Sequence, residues 1–424
     1  MIYYQRGSEN EVINSGELKE AVFTTLEKLG KKNRVLAIPP DFTRVHSRAG
    51  ELTRYIWEYF GEKLTDILPA LGTHAPMTTE GINTMFGNIP NNLFRVHDWR
   101  NDIVTLGTIP ESFIREVSEN KVKYPWKAQV NKLLVEGSFD LILSIGQVVP
   151  HEVVGMANYN KNIFIGTGGA EGINKSHFLG AVYGMERMMG KSDTPVRKVL
   201  NYASEHFSGS LPPVLYFLTV IGKNNHEDQV IRGLFIGNDS ECFNLASELS
   251  LKVNLELVEK PLMKTVVYLD PAEYKSTWLG NKSIYRTRMA IADDGELIIL
   301  SPGLKEFGED PEIDRLIRKY GYRGTPSILE AVEENEELRN NLSAAAHLIH
   351  GSSENRFRIT YCPGSLTENE IKSVNFNYAD YRVMIRKYNP EKLKEGINIM
   401  PDGEEIFFIS NPALGLWACR NRFN

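Results

Sequence analysis

The chain has 424 residues, of which 54 are acidic and 48 are basic, so its formal net charge is −6. An acidic surplus argues against a general nucleic-acid binder, which normally carries excess positive charge. The sequence has 3 isolated cysteines, an N-terminus without an apolar signal core, and no apolar run of about 20 residues. These features favour a cytoplasmic protein without a membrane span.

Short apolar runs, most of them stopped by glycine or proline, recur along the chain and alternate with helical patterns. Such runs, apolar on both faces, are typical of buried parallel strands. The run at 67–71 is the weakest of them, because Pro69 cannot donate a ladder hydrogen bond in a central strand. The sequence predicts strands at 35–38, 67–71, 141–145, 163–165, 215–220, 233–237, 265–269, 297–300 and 406–409, and a helix at 327–337.

This rhythm predicts an α/β protein with two α/β domains whose mostly parallel sheets face a central cleft. We place the domain change in the region 260–275, and divide the chain into residues 1–265 and 266–424. In parallel sheets, ligands bind beyond the carboxyl ends of the strands. Each of the first four runs is followed there by charged, imidazole or glycine-rich residues, at 40–44, 72–77, 146–152 and 166–172. The coincidence indicates one composite site.

Several of these residues have simpler interpretations. Asp41 is an ordinary candidate for a helix N-cap. The glycines at 166–172 form neither a P-loop nor a dinucleotide-binding fingerprint, so they are consistent with a plain turn. We interpret His347 and His350, spaced for one helix face but without a third ligand nearby, as structural. The same interpretation, as packed or surface residues, covers His46, His97, His206 and His226.

A set of short motifs remains, and its order and spacing resemble the nickel-pincer lactate racemase family. Lys161 follows His151 of the Pro-His motif by ten residues, and His177 follows Lys161 by sixteen, as in that family. The motif region covers about residues 35–180. The motifs are Asp41-x-Thr43-Arg44, Gly72-Thr73-His74-x-Pro76-Met77, Pro150-His151, Lys161 and His177.

The resemblance implies a cofactor, nickel(II) held in a pyridinium-3,5-bisthiocarboxylic acid mononucleotide, and partner proteins that synthesise it. It implies that Lys161 is the covalent attachment point, that His177 is the protein's nickel ligand, and that His74 and His151 are the catalytic acid/base pair. The residues implied to cradle the nucleotide are Asp41, Phe42, Thr43, Arg44 and Gly155. Residues 1–265 would then be the cofactor-binding and catalytic domain, and residues 266–424 would complete the substrate cleft.

The chemistry of the residues agrees with a racemase or epimerase acting at C2 of a 2-hydroxy acid. Removing hydrogen from C2 as hydride avoids an unstable carbanion, and a cofactor must hold that hydride. The substrate hydroxyl must lose its proton at the same time. Two histidines, whose ordinary pKa lies near neutral pH, suit proton transfer for both enantiomers.

The sequence departs from the family in the second domain and around the lysine. The family's Tyr-Gln-x-x-Lys pattern, which holds substrate, corresponds to Tyr285-Arg286-x-x-Met289, and Asn160 precedes the lysine in place of glycine. A guanidinium binds a carboxylate bidentately, so Arg286, with Tyr285, is the predicted substrate anchor. The substrate is then lactate or a larger acid such as a sugar acid. The alternative is a divergent relative that binds a nucleotide-like ligand or processes the cofactor.

Overall fold

In a computed structural model, residues 1–224 and 228–423 are described, so His226 lies outside the described residues. The chain forms two compact units. Unit 1 comprises Met1–Leu179 and Met188–Asn254, and unit 2 comprises Gly180–Arg187 and Leu255–Asn424. The division at residues 265 and 266, with the functions assigned to each side of it, stays a prediction.

Unit 1 is built on a six-stranded sheet in the order β1-β10-β9-β6-β2-β3. The neighbours β9, β6, β2 and β3 are parallel, and β10 and β1 add an antiparallel edge. The strands of unit 1 are β1 Ile2–Gly7, β2 Val35–Ile38, β3 Leu64–Ile67, β4 Ile103–Ile109, β5 Trp126–Asn131, β6 Leu141–Gln147, β7 Pro150–His151, β8 Gly155–Met156, β9 Val214–Lys223 and β10 Gln229–Gly237.

Helices pack on this sheet through apolar faces, and local sequence signals begin several of them. The Asn14 side chain and Glu17 form a capping box at the start of α1. Thr194 caps α8, and Pro195 occupies its first turn, where proline costs no hydrogen bond. The helices up to residue 254 are α1 Ser15–Lys28, α2 Ala49–Phe60, α3 Thr79–Phe86, α4 Glu111–Val117, α5 Leu133–Glu136, α6 Ala170–Tyr183, α7 Met185–Met188, α8 Pro195–Phe207 and α9 Ser240–Asn254.

Two of the predicted strands are wrong in kind or in position. Residues 163–165 lie in a buried π-helical turn, Asn162–Gly166, and form no strand. A run of three apolar residues does not distinguish a buried helical turn from a buried strand, because both bury every side chain. The second run also shifts: β3 ends at Ile67, and Pro69 lies beyond it, which is consistent with the missing N–H of proline.

Unit 2 has its own six-stranded sheet, in the order β15-β14-β13-β12-β17-β16. It is parallel except for the edge pair of β16 and β17. The predicted α/β class with mostly parallel sheets is therefore confirmed. The strands are β11 Leu255–Val258, β12 Leu262–Tyr268, β13 Ile291–Ser301, β14 Arg358–Pro363, β15 Asn377–Tyr378, β16 Gly396–Ile399, β17 Glu405–Ile409 and β18 Leu416–Cys419.

The helical prediction at 327–337 covers two helices of unit 2, which are separated at Asn335. Among the described residues, no helix has the length and apolar character needed to cross a membrane. The helices of this part of the chain are α10 Thr277–Gly280, α11 Lys282–Tyr285, α12 Pro311–Tyr320, α13 Thr325–Glu334, α14 Glu336–Arg339, α15 Leu342–His350, α16 Glu368–Ser373 and α17 Tyr381–Lys387.

Candidate active site

The chain segments that follow β2, β3 and β6 meet at one edge of the unit 1 sheet. These three strands are parallel neighbours, so their carboxyl ends lie side by side. The Gly72 amide donates to the Gly166 carbonyl at 2.8 Å, which ties the loop before His74 to the turn after Lys161. The Asn162 amide group donates to the Ile145 carbonyl at 3.2 Å and fastens that turn to β6.

Asp41 holds His74 in one tautomer. The Asp41 carboxylate, which is buried, accepts a hydrogen bond from His74 Nδ1 at 2.5 Å through Oδ2. Its Oδ1 accepts from the amide of Thr43 at 3.1 Å, so Asp41 is also the N-cap of the helical turn at Phe42–Ser47. Burial alone would raise the pKa of Asp41, but the hydrogen bonds from His74 and Thr43 outweigh it and lower that pKa. The ionised carboxylate keeps the proton on Nδ1, which leaves the lone pair on His74 Nε2.

His151 is held in the opposite tautomer. Its Nδ1 accepts the Val153 backbone N–H at 3.1 Å, so in the neutral ring the proton lies on Nε2. The imidazole is 7% exposed, and burial lowers its pKa well below the ordinary value. Glu152, whose Oε2 lies 3.6 Å from Nδ1, opposes that shift, while the positive charge of Lys161 adds to it. The ring is therefore neutral near pH 7 and presents an N–H donor.

His177 is a candidate metal ligand because its second nitrogen is kept unprotonated. It lies on α6, and its Nδ1 donates to the Ile173 carbonyl one turn earlier at 2.7 Å. This bond leaves the lone pair on Nε2, as is usual for histidines that ligate metals through Nε2. Burial lowers the pKa of His177, and the positive charge of Lys161 lowers it further.

Lys161 immediately precedes the π-helical turn and is half-buried. Burial lowers its pKa to about 8, and the positive charge of Arg44 contributes to the same shift. The charges of Glu152 and Asp41 raise it by smaller amounts. An amine with this pKa is partly unprotonated near neutral pH, which is the form that attacks a carbonyl-type carbon. Lys161, His151, His177 and Arg44 therefore share one electrostatic neighbourhood.

The residues predicted to cradle a nucleotide differ in how far their side chains are exposed to solvent. Phe42 is 42% exposed and Thr43 is exposed, whereas Arg44 is half-buried. Gly155 has a packing function of its own. Its φ is +82°, and a Cβ there would lie 2.0 Å from the Lys191 carbonyl oxygen, so no other residue fits without moving the backbone.

Residues 8–189 match the family model of the lactate racemase N-terminal domain. This segment is therefore similar to the N-terminal domain of lactate racemases. A crystal structure of a Thermotoga maritima protein from a structural genomics consortium has a TM-score of 0.82 with 25% identity, over 98% of this chain and 100% of that chain.

The lactate racemase apoprotein of Thermoanaerobacterium thermosaccharolyticum has a TM-score of 0.71 over 96% of this chain and 94% of its own, and at 17% identity the likeness shows the fold. No curated protein sequence matches this chain. The likeness in fold thus extends over most of the chain, and the match to the N-terminal domain supports a racemase-type function.

The residues predicted to anchor substrate lie in unit 2, where each is buried. Arg286 is 2% exposed, and its Nη1 donates to the Gly415 carbonyl at 2.8 Å. Met289, three residues further along the chain, is 2% exposed, and its carbonyl accepts the Cys419 amide. Tyr285 is 5% exposed. The turn is thus fastened to the C-terminal segment, and the substrate-binding function of these residues stays a prediction.

Sequence reasoning missed three side chains that contact or influence this site. Glu152 follows His151 directly and could have been found from that position. Arg197 gave no signal, and the position of Asn160 before the lysine did not reveal its contacts, because these form between segments about 40 residues apart in the sequence. Among the described residues, no group of three or more His, Cys, Asp or Glu side chains is arranged to hold a metal ion.

Proposed function

We propose that this protein is a racemase or epimerase that inverts C2 of a 2-hydroxy acid with the help of a nickel-pincer nucleotide attached to Lys161. The observation that carries the proposal is that His74, His151 and His177 each bind the protein through Nδ1, in a site that also holds a lysine of lowered pKa. A protein that only bound a nucleotide would need neither an attachment point nor imidazoles held in defined tautomers.

The residues present fit the cofactor that the family implies. Lys161 supplies a partly unprotonated amine for covalent attachment. His177 supplies an imidazole nitrogen whose lone pair is kept available by the bond from Nδ1 to Ile173, and imidazole suits nickel(II). When bound, the cofactor would supply the acceptor and donor of hydride that inversion at C2 requires. Arg44 and the exposed face of Phe42 would hold its nucleotide part.

Because their tautomers differ, His74 and His151 would act differently on the substrate in the first step. His74 Nε2 carries a lone pair, so it accepts the proton of the substrate hydroxyl, and the imidazolium formed is stabilised by Asp41. His151 Nε2 carries a proton, so it donates a hydrogen bond to a substrate oxygen on its side. For His151 to accept a proton at Nε2, it must first lose its bond from Val153. The substrate class remains the 2-hydroxy acids, with Arg286 as the proposed carboxylate anchor.

The test is to co-express the protein with the cofactor-synthesis proteins and to follow its mass and its activity. A covalent mass gain at Lys161, together with racemisation of at least one acid in a panel from lactate to sugar acids, is the expected result. Protein verified as loaded that inverts nothing in the panel would contradict the enzyme proposal. That result would favour the alternative, a divergent relative that binds or processes the cofactor. The presence of Met289, where the resemblance implies a lysine, supports this alternative.

A further inference from the structure

Arg197 is a buried arginine whose side chain donates hydrogen bonds to the segment that precedes Lys161. It is 1% exposed. Its Nη2 donates to the Met156 carbonyl at 2.7 Å, both Nη atoms lie 3.3 Å from the Asn158 carbonyl, and Nη1 also donates to the Asn160 side-chain oxygen. Its Nε is buried without an acceptor among the described residues. Burying a guanidinium against neutral acceptors is costly unless the hydrogen bonds that it makes outweigh its desolvation.

The helix that carries Arg197 contacts the same segment through a whole face. Asn160 is fully buried, and its amide group donates to Asn201 Oδ1 at 2.8 Å and to Ser204 Oγ at 3.1 Å. Arg197, Asn201 and Ser204 are spaced four and three residues apart, which places them on one face of α8. The guanidinium also lies 4.2 Å from the centre of the Phe243 ring, a favourable cation–π contact.

The segment that α8 holds has an unusual backbone. Asn158 and Tyr159 both adopt left-handed conformations, with φ of +68° and +59°. Such conformations persist in residues other than glycine only where the surroundings determine them. The Asn158 side chain packs so closely against Gly146 that a Cβ there would lie 2.5 Å from its Nδ2. The two residues set the direction in which the chain enters Lys161.

We propose that Arg197 is a positioning residue, which together with Asn160 holds residues 156–160 in this conformation and so fixes the place of the Lys161 amine. Its consequence for cofactor attachment depends on the proposed function, whereas its effect on the segment does not. The positive charge of Arg197 also contributes to the lowered pKa of Lys161, after burial and Arg44. Arg197 thus acts on Lys161 both through the backbone and through its charge.

Two substitutions separate these effects in protein without cofactor. Arg197→Lys keeps the charge but has too few donors in the right geometry to bind all three acceptors. Arg197→Met removes the charge as well. We expect faster amide hydrogen exchange at 156–161 in both variants, by about tenfold or more, and an upward shift of the pH midpoint for acylation of Lys161 by an N-hydroxysuccinimide ester in Arg197→Met only. Peptide mapping identifies the acylated lysine.

A matched control is Arg232→Met, because Arg232 is also buried in unit 1 and donates to the backbone carbonyls of Glu11 and Lys223. It should leave both readouts at Lys161 unchanged, whatever its effect on thermal stability. If neither Arg197 variant folds, Asn201→Ala combined with Ser204→Ala removes the support of Asn160 and should speed exchange at 156–161 by a smaller factor. Unchanged exchange in every folded variant, or equal changes in Arg232→Met, overturns the proposal.

A final measurement separates this inference from the proposed function. In cells that make the cofactor, Arg197→Lys should load Lys161 several-fold more slowly than the unsubstituted protein. If the unsubstituted protein does not load at all, the proposed function fails, while the exchange and acylation results still decide whether Arg197 positions the segment.

Discussion

The histidines of the candidate site in unit 1 and the buried His347 of unit 2 differ in which ring nitrogen binds the protein. In unit 1, His74, His151 and His177 each bind the protein through Nδ1, which fixes the state of Nε2. In unit 2, His347 is buried, and its Nε2 itself contacts the hydroxyl of Tyr322 at 2.9 Å and the amide of Asn281 at 3.3 Å. The first arrangement prepares a nitrogen for a ligand or substrate, and the second stabilises the fold.

The largest expected effect follows from the chemistry assigned to Lys161. Lys161→Arg keeps a positive charge but removes the primary amine, so covalent loading should be lost completely when the protein is made with the cofactor-synthesis proteins. Intact-mass spectrometry measures the adduct. Lys198→Arg is the control, because Lys198 is exposed and pairs with Asp193 on the surface. An adduct of the same mass on the Lys161→Arg protein would show that the attachment point is another residue.

The second prediction uses the opposite tautomers of His74 and His151. In loaded protein, His74→Gln should lower turnover by about 10²–10⁴-fold, the usual contribution of a general acid–base group. Asp41→Asn should have a similar effect, because an amide no longer holds the Nδ1 proton of His74. His151→Gln should be milder, since glutamine keeps an N–H donor.

Racemisation rates at equal cofactor loading measure these effects, and ¹⁵N NMR of the imidazoles measures the tautomers directly. We expect the proton on Nδ1 of His74 and on Nε2 of His151. If His151→Gln is as damaging as His74→Gln, then His151 also moves a proton, and the two histidines are equivalent bases.

The sequence predicted the parts of this site that depend on strand ends. β2 and β6 were recognisable because continuous apolar runs between glycines and prolines are typical of buried parallel strands, and the residues after them do meet. The strand predicted at 163–165 was wrong, because hydrophobicity in so short a run does not distinguish a strand from a buried helical turn. Arg197 and Asn160 could not be predicted, since their pairing depends on how α8 packs and not on any spacing. The histidine tautomers could not be predicted either, because they depend on which backbone and side-chain groups lie next to each ring nitrogen.

The third prediction tests the structural side of the comparison. His347→Ala removes a partner from the buried hydroxyl of Tyr322 and a ring that lies 4.4 Å from Trp278. The loss of a buried hydrogen-bond partner costs about 1–3 kcal/mol, so urea unfolding should show a decrease of that size in the free energy of unfolding. Loading of Lys161 should be unchanged. Lys198→Ala, an exposed control on α8, should change stability by about 0.5 kcal/mol or less, because Lys198 makes only a surface ion pair with Asp193. Loss of loading in folded His347→Ala would break the comparison.

The smallest effect concerns His97, which lies in unit 1 but has both ring nitrogens hydrogen-bonded within the protein. We therefore expect His97, like His347, to stabilise the fold and to bind no ligand. Its Nε2 donates to the Gly168 carbonyl at 3.0 Å, and its Nδ1 accepts from the Asn131 amide at 3.0 Å. Burial lowers its pKa from the ordinary 6.5. The folded protein then binds fewer protons than the unfolded chain in the window just below pH 6.5, so stability is complete above that pH and declines as the pH falls through it.

His97→Gln removes this titration, and its side-chain amide can still donate to Gly168. We expect the free energy of unfolding to fall less steeply with acidification than in the unsubstituted protein, by at most about 1.4 kcal/mol per pH unit, the value for one proton. Urea unfolding at several pH values between 5 and 7.5 measures the slope. Parallel slopes for His97→Gln and the unsubstituted protein would show that His97 is not held neutral, and the distinction between histidines that serve the fold and histidines that serve the site would then lose its support in unit 1.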